Sequence, residues 1–282
     1  MSRELFAPLV RACRTVDHTY VFQRKGSVWG FVKLIRKIRQ TQFDWVLDLQ
    51  GLFRSGVLCL CSRAKNKAGR SDAREGTRWF YPLKANLPQK GSEAHALEIL
   101  MEFKRLFDKQ SDALKPLTFD TTLSESNRKP LCDPPLKRLI IFPESRRTEK
   151  EWPFFQELTG MLLQQSPNLQ LVWVGTSPIQ PTFHAAPHLQ SNQFVNLSGS
   201  TGIEELPALI GSADLVLAND SGPMHLAAAM EKEVVALFGP TNPNQYGPWG
   251  QFHNVLTAPD DDLAKLKTEQ VAKTLMQKLS GN

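Results

Sequence analysis

No run in the 282 residues approaches the roughly 20 consecutive apolar positions that a membrane-crossing helix needs. The start, Met-Ser-Arg-Glu-Leu-Phe, puts no basic segment before an apolar core, so no secretory leader is expected. Cysteine is scarce: Cys13, Cys59, Cys61 and Cys132 form no Cys-x-x-Cys pair, and no histidine cluster stands beside Cys59 and Cys61. A structural zinc site needs a full set of convergent ligands, so these read as reduced thiols in a cytoplasmic protein without such a metal. Internal repeats and low-complexity tracts are missing too. Aromatic residues do not interleave with basic ones and no RNA- or DNA-binding module is recognisable, which argues against nucleic acid as a partner.

What is present is an ordinary globular composition, 41% hydrophobic and 22% charged, long enough for two domains. The net charge of +6 is unevenly placed. Residues 1–133 hold 24 Lys and Arg against 14 Asp and Glu, a formal +10, whereas residues 134–282 hold 10 against 14, a formal −4. A basic half suits an anionic partner, although a solvated basic surface gives the same count. Ser124–Leu136 is polar, holds Pro130, Pro134 and Pro135, and has no periodicity. It reads as an interdomain linker, which sets domains at 1–133 and 134–282.

After that linker, short apolar runs alternate with helical patterns. Strands are predicted at Arg138–Phe142, Leu169–Val174, Phe194–Leu197, Leu215–Ala218 and Val234–Phe238. Helices are predicted from Trp152-Pro153 to Ser166, at Ile203–Ser212, at Gly222–Met230, and at Thr268–Leu279 with Thr268 as N-cap. This is the pattern of a parallel α/β sheet. The first half reads as helices at Arg3–Val16, Ser27–Gln40, Leu52–Ser62 and Glu93–Phe107, with strands at His18–Gln23 and Phe43–Leu49. It therefore opens on a helix, where a doubly wound domain ordinarily opens on a strand.

Three strand-end loops of the second half carry the chemistry. In Asn219-Asp-Ser-Gly222, a buried strand runs into a helix start, with Pro223 in the first turn; Ser221 and Gly222 offer free N–H groups to an anion. An N-cap without further function is the plainer reading. Val234–Phe238 ends in a long loop, Gly239-Pro-Thr-Asn-Pro-Asn-Gln-Tyr-Gly-Pro-Trp-Gly250, in which Trp249 is the tryptophan placed to touch a ligand. Phe142–Pro153 supplies Arg146, Arg147 and Lys150, cations suited to a diphosphate. His18, His184, His188 and His253 have no motif around them.

Asn219-Asp-Ser-Gly-Pro-Met-His-Leu-Ala-Ala-Ala229, followed by Ala236-Leu-Phe-Gly-Pro-Thr-Asn-Pro243, resembles the signature of glycosyltransferase family 9, the ADP-heptose:lipopolysaccharide heptosyltransferases. Lys150-Glu-Trp-Pro153 stands where that family has Lys-x-Trp-Pro. Asp48-Leu-Gln-Gly-Leu-Phe-Arg-Ser55, Asp72-Ala-Arg-Glu-Gly76 and His95-Ala-Leu-Glu98 are similar to its first-half segments, in the same order. The resemblance implies the GT-B fold: α/β, with two Rossmann-like domains facing across a cleft. It implies a nucleotide-sugar donor bound by Lys150, Asp220, Ser221, Gly222, His225 and Thr241. Gln50, Arg54, Asp72, Arg74 and Glu75 would lie on the acceptor side, facing an anionic glycolipid. The implied reaction is inverting and independent of metal or other cofactor, with Lys150 and the Ser221-Gly222 helix start steadying the diphosphate.

Two departures from the family pattern stand out. The family opens with an apolar strand and a Ser-x-Gly-Asp loop whose aspartate serves as base. This chain has no Gly-Asp pair, so its first domain reads as lacking that strand and its catalytic base is unassigned. The other departure follows Trp173-Val-Gly175, where the family often has a glutamate near the donor ribose and this chain has Thr-Ser-Pro. The alternative to an enzyme is therefore a non-catalytic binder of nucleotide-sugar or glycolipid on the same fold. Asp260-Asp-Asp262 fits a metal-binding spacing but reads as a solvated turn. Finally, Ser27–Gln40 is basic and amphipathic, the kind of helix that lies on an anionic inner-membrane surface or packs on a sheet with its charges outward.

Overall fold

A computed structural model describes residues 1–23, 25–107, 114–131, 136–183 and 193–281. Cys132, His184, His188 and the 133/134 boundary lie outside the described residues. The chain divides into two compact units, Met1–Arg11 with Val16–Lys115, and Ala12–Thr15 with Pro116–Asn282.

The first unit opens with β1 (Ser2–Arg3), a 3-10 turn at Glu4–Phe6, α1 (Ala7–Ala12) and β2 (Val21–Phe22). β1 and β2 pair in parallel, and Ser2 N donates to Tyr20 O at 2.9 Å. The continuous helix expected over Arg3–Val16 is thus replaced by a strand and a shorter helix. Pro8, which favours a first helical turn, accounts for where α1 begins. α2 (Val28–Ile38) follows, capped by the Ser27 hydroxyl, which accepts from Gly30 N at 3.1 Å. Then come β3 (Gln42–Asp48), α3 (Phe53–Cys61), β4 (Arg63–Arg70) and β5 (Leu83–Ala85). β3, β4 and β5 form a parallel three-stranded sheet in that order. α4 (Ala96–Met101) continues as 3-10 helix over Glu102–Phe107, so the single helix expected at Glu93–Phe107 is not continuous. The core here is small: Ala68, Ala85 and Phe103, with Trp45, Leu47 and Leu106 packed against them.

The second unit contains α5 (Glu125–Arg128), β6 (Lys137–Phe142), α6 (Phe155–Gln165), β7 (Leu169–Trp173), β8 (Phe194–Asn196), α7 (Leu206–Ser212), β9 (Leu215–Asn219), α8 (Gly222–Ala229), β10 (Val234–Phe238), α9 (Pro243–Tyr246), β11 (Val255–Thr257) and α10 (Thr268–Ser280). Its six strands are all parallel, in the order β11-β10-β9-β6-β7-β8. Alternation sorts each central strand between two cores, because successive side chains point to opposite faces. Leu139, Ile141, Leu171, Trp173, Leu215, Leu217, Val235 and Leu237 pack with α6 and α10 through Leu158, Leu162, Val271 and Leu275. Ile140, Phe142, Val172, Val216, Ala218, Ala236 and Phe238 pack with α7 and α8 through Leu209, Ile210, Met224 and Ala227. Burial on both faces is why these strands read as unbroken apolar runs. Each fully buried Leu or Ile contributes about 1.5–3 kcal/mol.

Three further readings change. Ser124–Leu136 is no bare linker: Glu205 accepts from Ser124 N at 2.7 Å and from the Asn127 side-chain amide at 3.0 Å, and Leu131 enters the second core. Thr268 does not cap α10; it is buried as the first helical residue, after Lys267. β4, β5 and β11 were not anticipated, β4 because Arg63, Lys65, Lys67 and Arg70 make it polar in sequence while its buried residues, Ala68 and Gly69, are small.

Candidate active site

β6 is the point at which strand order in the second sheet reverses: β7 and β8 lie to one side, β9, β10 and β11 to the other. In open parallel sheets ligands bind beyond the carboxyl ends of the strands at such a point. The β6 and β9 ends are tied together there. Asn219, fully buried at the end of β9, accepts from Trp152 N at 3.1 Å and donates to Pro143 O at 2.9 Å. Trp152 is fixed in turn by its indole N–H, which donates to Leu266 O at 2.9 Å. These bonds set the backbone course that delivers Lys150.

Lys150 Nζ meets Asp220 Oδ2 at 2.6 Å, and Thr241 Oγ1 donates to the same oxygen at 2.7 Å. The Lys150 and Asp220 side chains are 17% and 7% exposed, so the pair is shielded from bulk water and weakly screened. Three strand-end loops, after β6, β9 and β10, thus converge on one carboxylate. Gly239, which starts the third loop, has no room for a side chain: a Cβ there would lie 2.8 Å from Leu263 Cγ.

Beside this node α8 begins. A Cβ on Gly222 would meet nothing within 4 Å, so the space over the helix N-terminus is open. The Ser221 Oγ is buried without a hydrogen-bond partner. Free N–H groups, the helix dipole and an adjacent lysine make this a site for an anion. His225 sits exposed one turn along α8. Arg146 is exposed, and Arg147 pairs with Glu149 at 2.7 Å. Trp249 packs edge-to-face with Phe252, ring centroids 6.4 Å apart. Asp260 pairs with Lys265, and Asp262 caps the next turn by accepting from Ala264 N. Among the described residues no group of three His, Cys, Asp or Glu side chains is placed to hold a metal.

Sequence reasoning gave no role to Asn219, named only as the head of its motif, or to Glu144. Glu144 Oε2 accepts from Thr176 N at 2.6 Å and Thr176 Oγ1 at 2.8 Å, and Oε1 accepts from Ser177 N at 3.2 Å. A carboxylate from the β6 end therefore stands over the end of β7. The only signal for it was its position directly after Phe142-Pro143 at a strand end.

The first unit gathers its own candidates at the carboxyl ends of β3 and β4. Asp48 is buried; it accepts from Gln50 N and Gly51 N, both at 3.0 Å, and from the Tyr81 hydroxyl at 2.6 Å. Desolvation and the bond to Asp48 both push the Tyr81 phenol well above its usual value. The Gly51 turn (φ +67°) then accepts from Arg74 N at 2.9 Å, joining the two loops. Asp72 forms a two-bond pair with Arg70, at 2.8 and 2.6 Å, which holds its carboxyl below the usual range. Glu75 accepts from Phe53 N at 2.7 Å and so caps α3 from a distance, at a positive φ of 56°. Asp72 and Glu75 are thus engaged in holding loops, whereas the Gln50, Arg54 and Arg74 side chains are exposed. The Arg54 guanidinium lies 5.8 Å from the Phe22 ring centroid and lines a cavity of about 320 Å³ with Phe22, Ser27, Phe31 and Leu34.

Comparison with known proteins gives these features a context. The family model for glycosyltransferase family 9 (heptosyltransferase) matches residues 31–276. The lipopolysaccharide core heptosyltransferase OpsX of Haemophilus influenzae is 26% identical over 254 residues, 86% of this chain and 71% of that protein. Lipopolysaccharide heptosyltransferase 1 of Escherichia coli is 27% identical over 258 residues, 86% of this chain and 76% of the relative. Among solved structures, a family 9 glycosyl transferase from Veillonella parvula superposes with a TM-score of 0.80 at 21% identity, covering 99% of this chain and 87% of that one. The E. coli heptosyltransferase WaaC with ADP gives 0.71 at 21% identity, over 98% and 88%. This likeness fixes the fold class as α/β of the GT-B kind, with two Rossmann-like units.

Proposed function

The chain belongs to glycosyltransferase family 9 and is a glycosyltransferase, and from that premise we propose that it moves heptose from ADP-heptose to a lipopolysaccharide core. The observation that carries the donor half is the Lys150–Asp220–Thr241 node beside the open α8 N-terminus. As the anomeric carbon leaves the diphosphate, negative charge grows on the departing phosphate oxygens. Lys150 and the N–H groups at Ser221 and Gly222 are positioned to receive that charge, and such preorganised donors are worth about 10²–10³ in rate. Asp220 keeps the lysine shielded and aimed until the donor arrives; Thr241 fixes Asp220. This positive charge is a source of leaving-group stabilisation that needs no metal. Ser221 and His225 complete the donor side.

On the acceptor side, the Gln50, Arg54 and Arg74 side chains are exposed and suited to an anionic core glycan. The outer face of α2 carries Trp29, 74% exposed, with Lys33, Arg36 and Lys37 exposed on successive turns, while Phe31, Leu34, Ile35 and Ile38 turn inward. A tryptophan followed by cations is the chemistry of contact with an anionic inner-membrane face, where a glycolipid acceptor resides. Inversion follows from direct attack of the acceptor hydroxyl on the face opposite the diphosphate: the new glycosidic bond forms as the bond to ADP breaks, and the hydroxyl proton passes to a carboxylate base.

The test is incubation of the full chain with ADP-heptose and a heptose-deficient lipopolysaccharide, with products read by mass spectrometry. A mass gain of one heptosyl unit that persists in excess chelator supports the proposal. Folded chain that binds ADP-heptose without transferring from it would instead make this a donor-binding protein. Loss of transfer in chelator would contradict the metal-independent mechanism.

A further inference from the structure

We infer that Glu144 is the carboxylate that takes the ribose hydroxyls of the donor nucleotide. The inference rests on the donor reading above and names a residue for a part of the ligand that reading leaves open.

The argument begins with topology. In a doubly wound sheet the phosphates sit at the turn nearest the order reversal, and an acidic group at the end of the adjoining strand binds the ribose diol. Here the phosphate-side elements are the β6 and β9 ends, and the adjoining strand on the other side is β7. The connection leaving β7 has nothing acidic to offer. No Asp or Glu occurs between Glu157 and Glu204 in the sequence.

The carboxylate arrives from β6 instead. Glu144 extends over the β7 end so closely that a Cβ on Gly175 would lie 2.9 Å from its Oε2. Its Oε2 accepts twice from Thr176, whereas Oε1 accepts one longer bond, 3.2 Å, from Ser177 N. Each carboxylate oxygen has two acceptor sites, so Oε1 retains capacity for a hydroxyl. The loop beneath is pinned from its far side as well. Gly199 N donates to Gly175 O at 2.9 Å, Ile179 N to Ser198 Oγ at 2.8 Å, and the Asn196 amide to Ile179 O at 2.8 Å. The carboxylate is thereby held in one place before any ligand binds, which is the condition for a specific hydroxyl contact.

A clamp that merely stiffens this loop would show the same bonds, so the test must report on the diol itself. Calorimetric titration of the full chain with ADP and with 2′-deoxy-ADP, and the same pair of UDP ligands, gives a discrimination ratio. For the wild type a preference of about tenfold or more for the ribonucleotide is expected, the size of a lost hydrogen bond to a charged group. In Glu144→Gln, of matched shape and checked for folding by its melting curve, that ratio falls to near one. Thr176→Ala removes a clamp partner but spares the carboxylate, and keeps the preference. A ratio unchanged in Glu144→Gln, or lost equally in Thr176→Ala, overturns the assignment and leaves Glu144 as a clamp. Folded wild type that binds neither ADP nor UDP overturns the donor reading itself, a separate and recognisable failure.

Discussion

Both units are built from parallel strands and helices, yet they spend their charged groups differently. In the second unit two apolar cores sandwich the sheet, and the charged side chains at its carboxyl edge converge: lysine, aspartate and threonine share one oxygen beside an open helix start. In the first unit the core is small and carboxylates do architectural service. Asp48 shapes the Gln50–Gly51 turn, Asp72 holds Arg70, and Glu75 caps α3. Where packing already fixes the backbone, polar residues are released for a ligand. Where packing is thin, they are consumed in holding loops.

The comparison breaks most visibly in the cores. Leu158→Ala, at a fully buried site against the second sheet, is expected to destabilise by about 2–5 kcal/mol. Leu47→Ala in half-buried β3 should lose clearly less, and native-state hydrogen exchange should show stronger protection in β6, β7, β9 and β10 than in β3, β4 and β5. Equal losses and equal protection would abolish the distinction between the units. In catalysis, Lys150→Ala should lower kcat/KM for transfer by about a hundredfold, while Arg74→Ala in the first unit should raise KM for the acceptor and leave KM for the donor unchanged. On vesicles, Lys33→Glu with Arg36→Glu should weaken binding to anionic lipid by about fivefold or more per reversed charge, each basic residue near such a surface contributing about 1 kcal/mol. Undiminished binding would remove α2 from the membrane contact.

A smaller loss is expected from Glu75→Ala, about 0.5–2 kcal/mol for an uncapped α3, with ADP affinity untouched. The subtlest effect concerns pH. Burial draws the Glu205 carboxyl upward, but the N–H groups of Ser124 and Gly202 outweigh it and hold the group below its usual value. Its contribution is therefore complete near neutrality and is lost as pH falls below about 4.5, the ordinary value. Glu205→Gln should flatten that part of the acid limb of a stability–pH curve; an unchanged limb would show that another carboxylate sets it.

The same contrast explains what the sequence made legible. β6, β7, β9 and β10 announced themselves as apolar runs because both of their faces are covered. β4 did not, since Arg63, Lys65, Lys67 and Arg70 give it a polar sequence, although only Arg63 and Lys65 are exposed, and Ala64, Ala68 and Gly69 carry little signal; a Cβ on Gly69 would lie 2.3 Å from the Tyr81 ring, a requirement invisible in one chain. The helix over Arg3–Val16 failed because β1 found a partner in β2, a pairing between distant residues. At the site, Lys150, Asp220 and Thr241 were legible as loop residues, and the fold brings them within hydrogen-bond reach. Asp72 and Glu75 carried the right chemistry, but their engagement by Arg70 and Phe53 N depends on tertiary neighbours. Glu144 was overlooked because its target, the end of β7, is 32 residues away from it in sequence.

The most direct test of the account is calorimetric titration of the full chain and of Lys150→Ala with ADP and with adenosine. If the node beside α8 holds the donor diphosphate, the wild type binds ADP at least about tenfold more tightly than adenosine, and Lys150→Ala loses most of that difference while binding adenosine as before. An ADP preference that survives intact in a folded Lys150→Ala protein would place the diphosphate elsewhere and contradict the account.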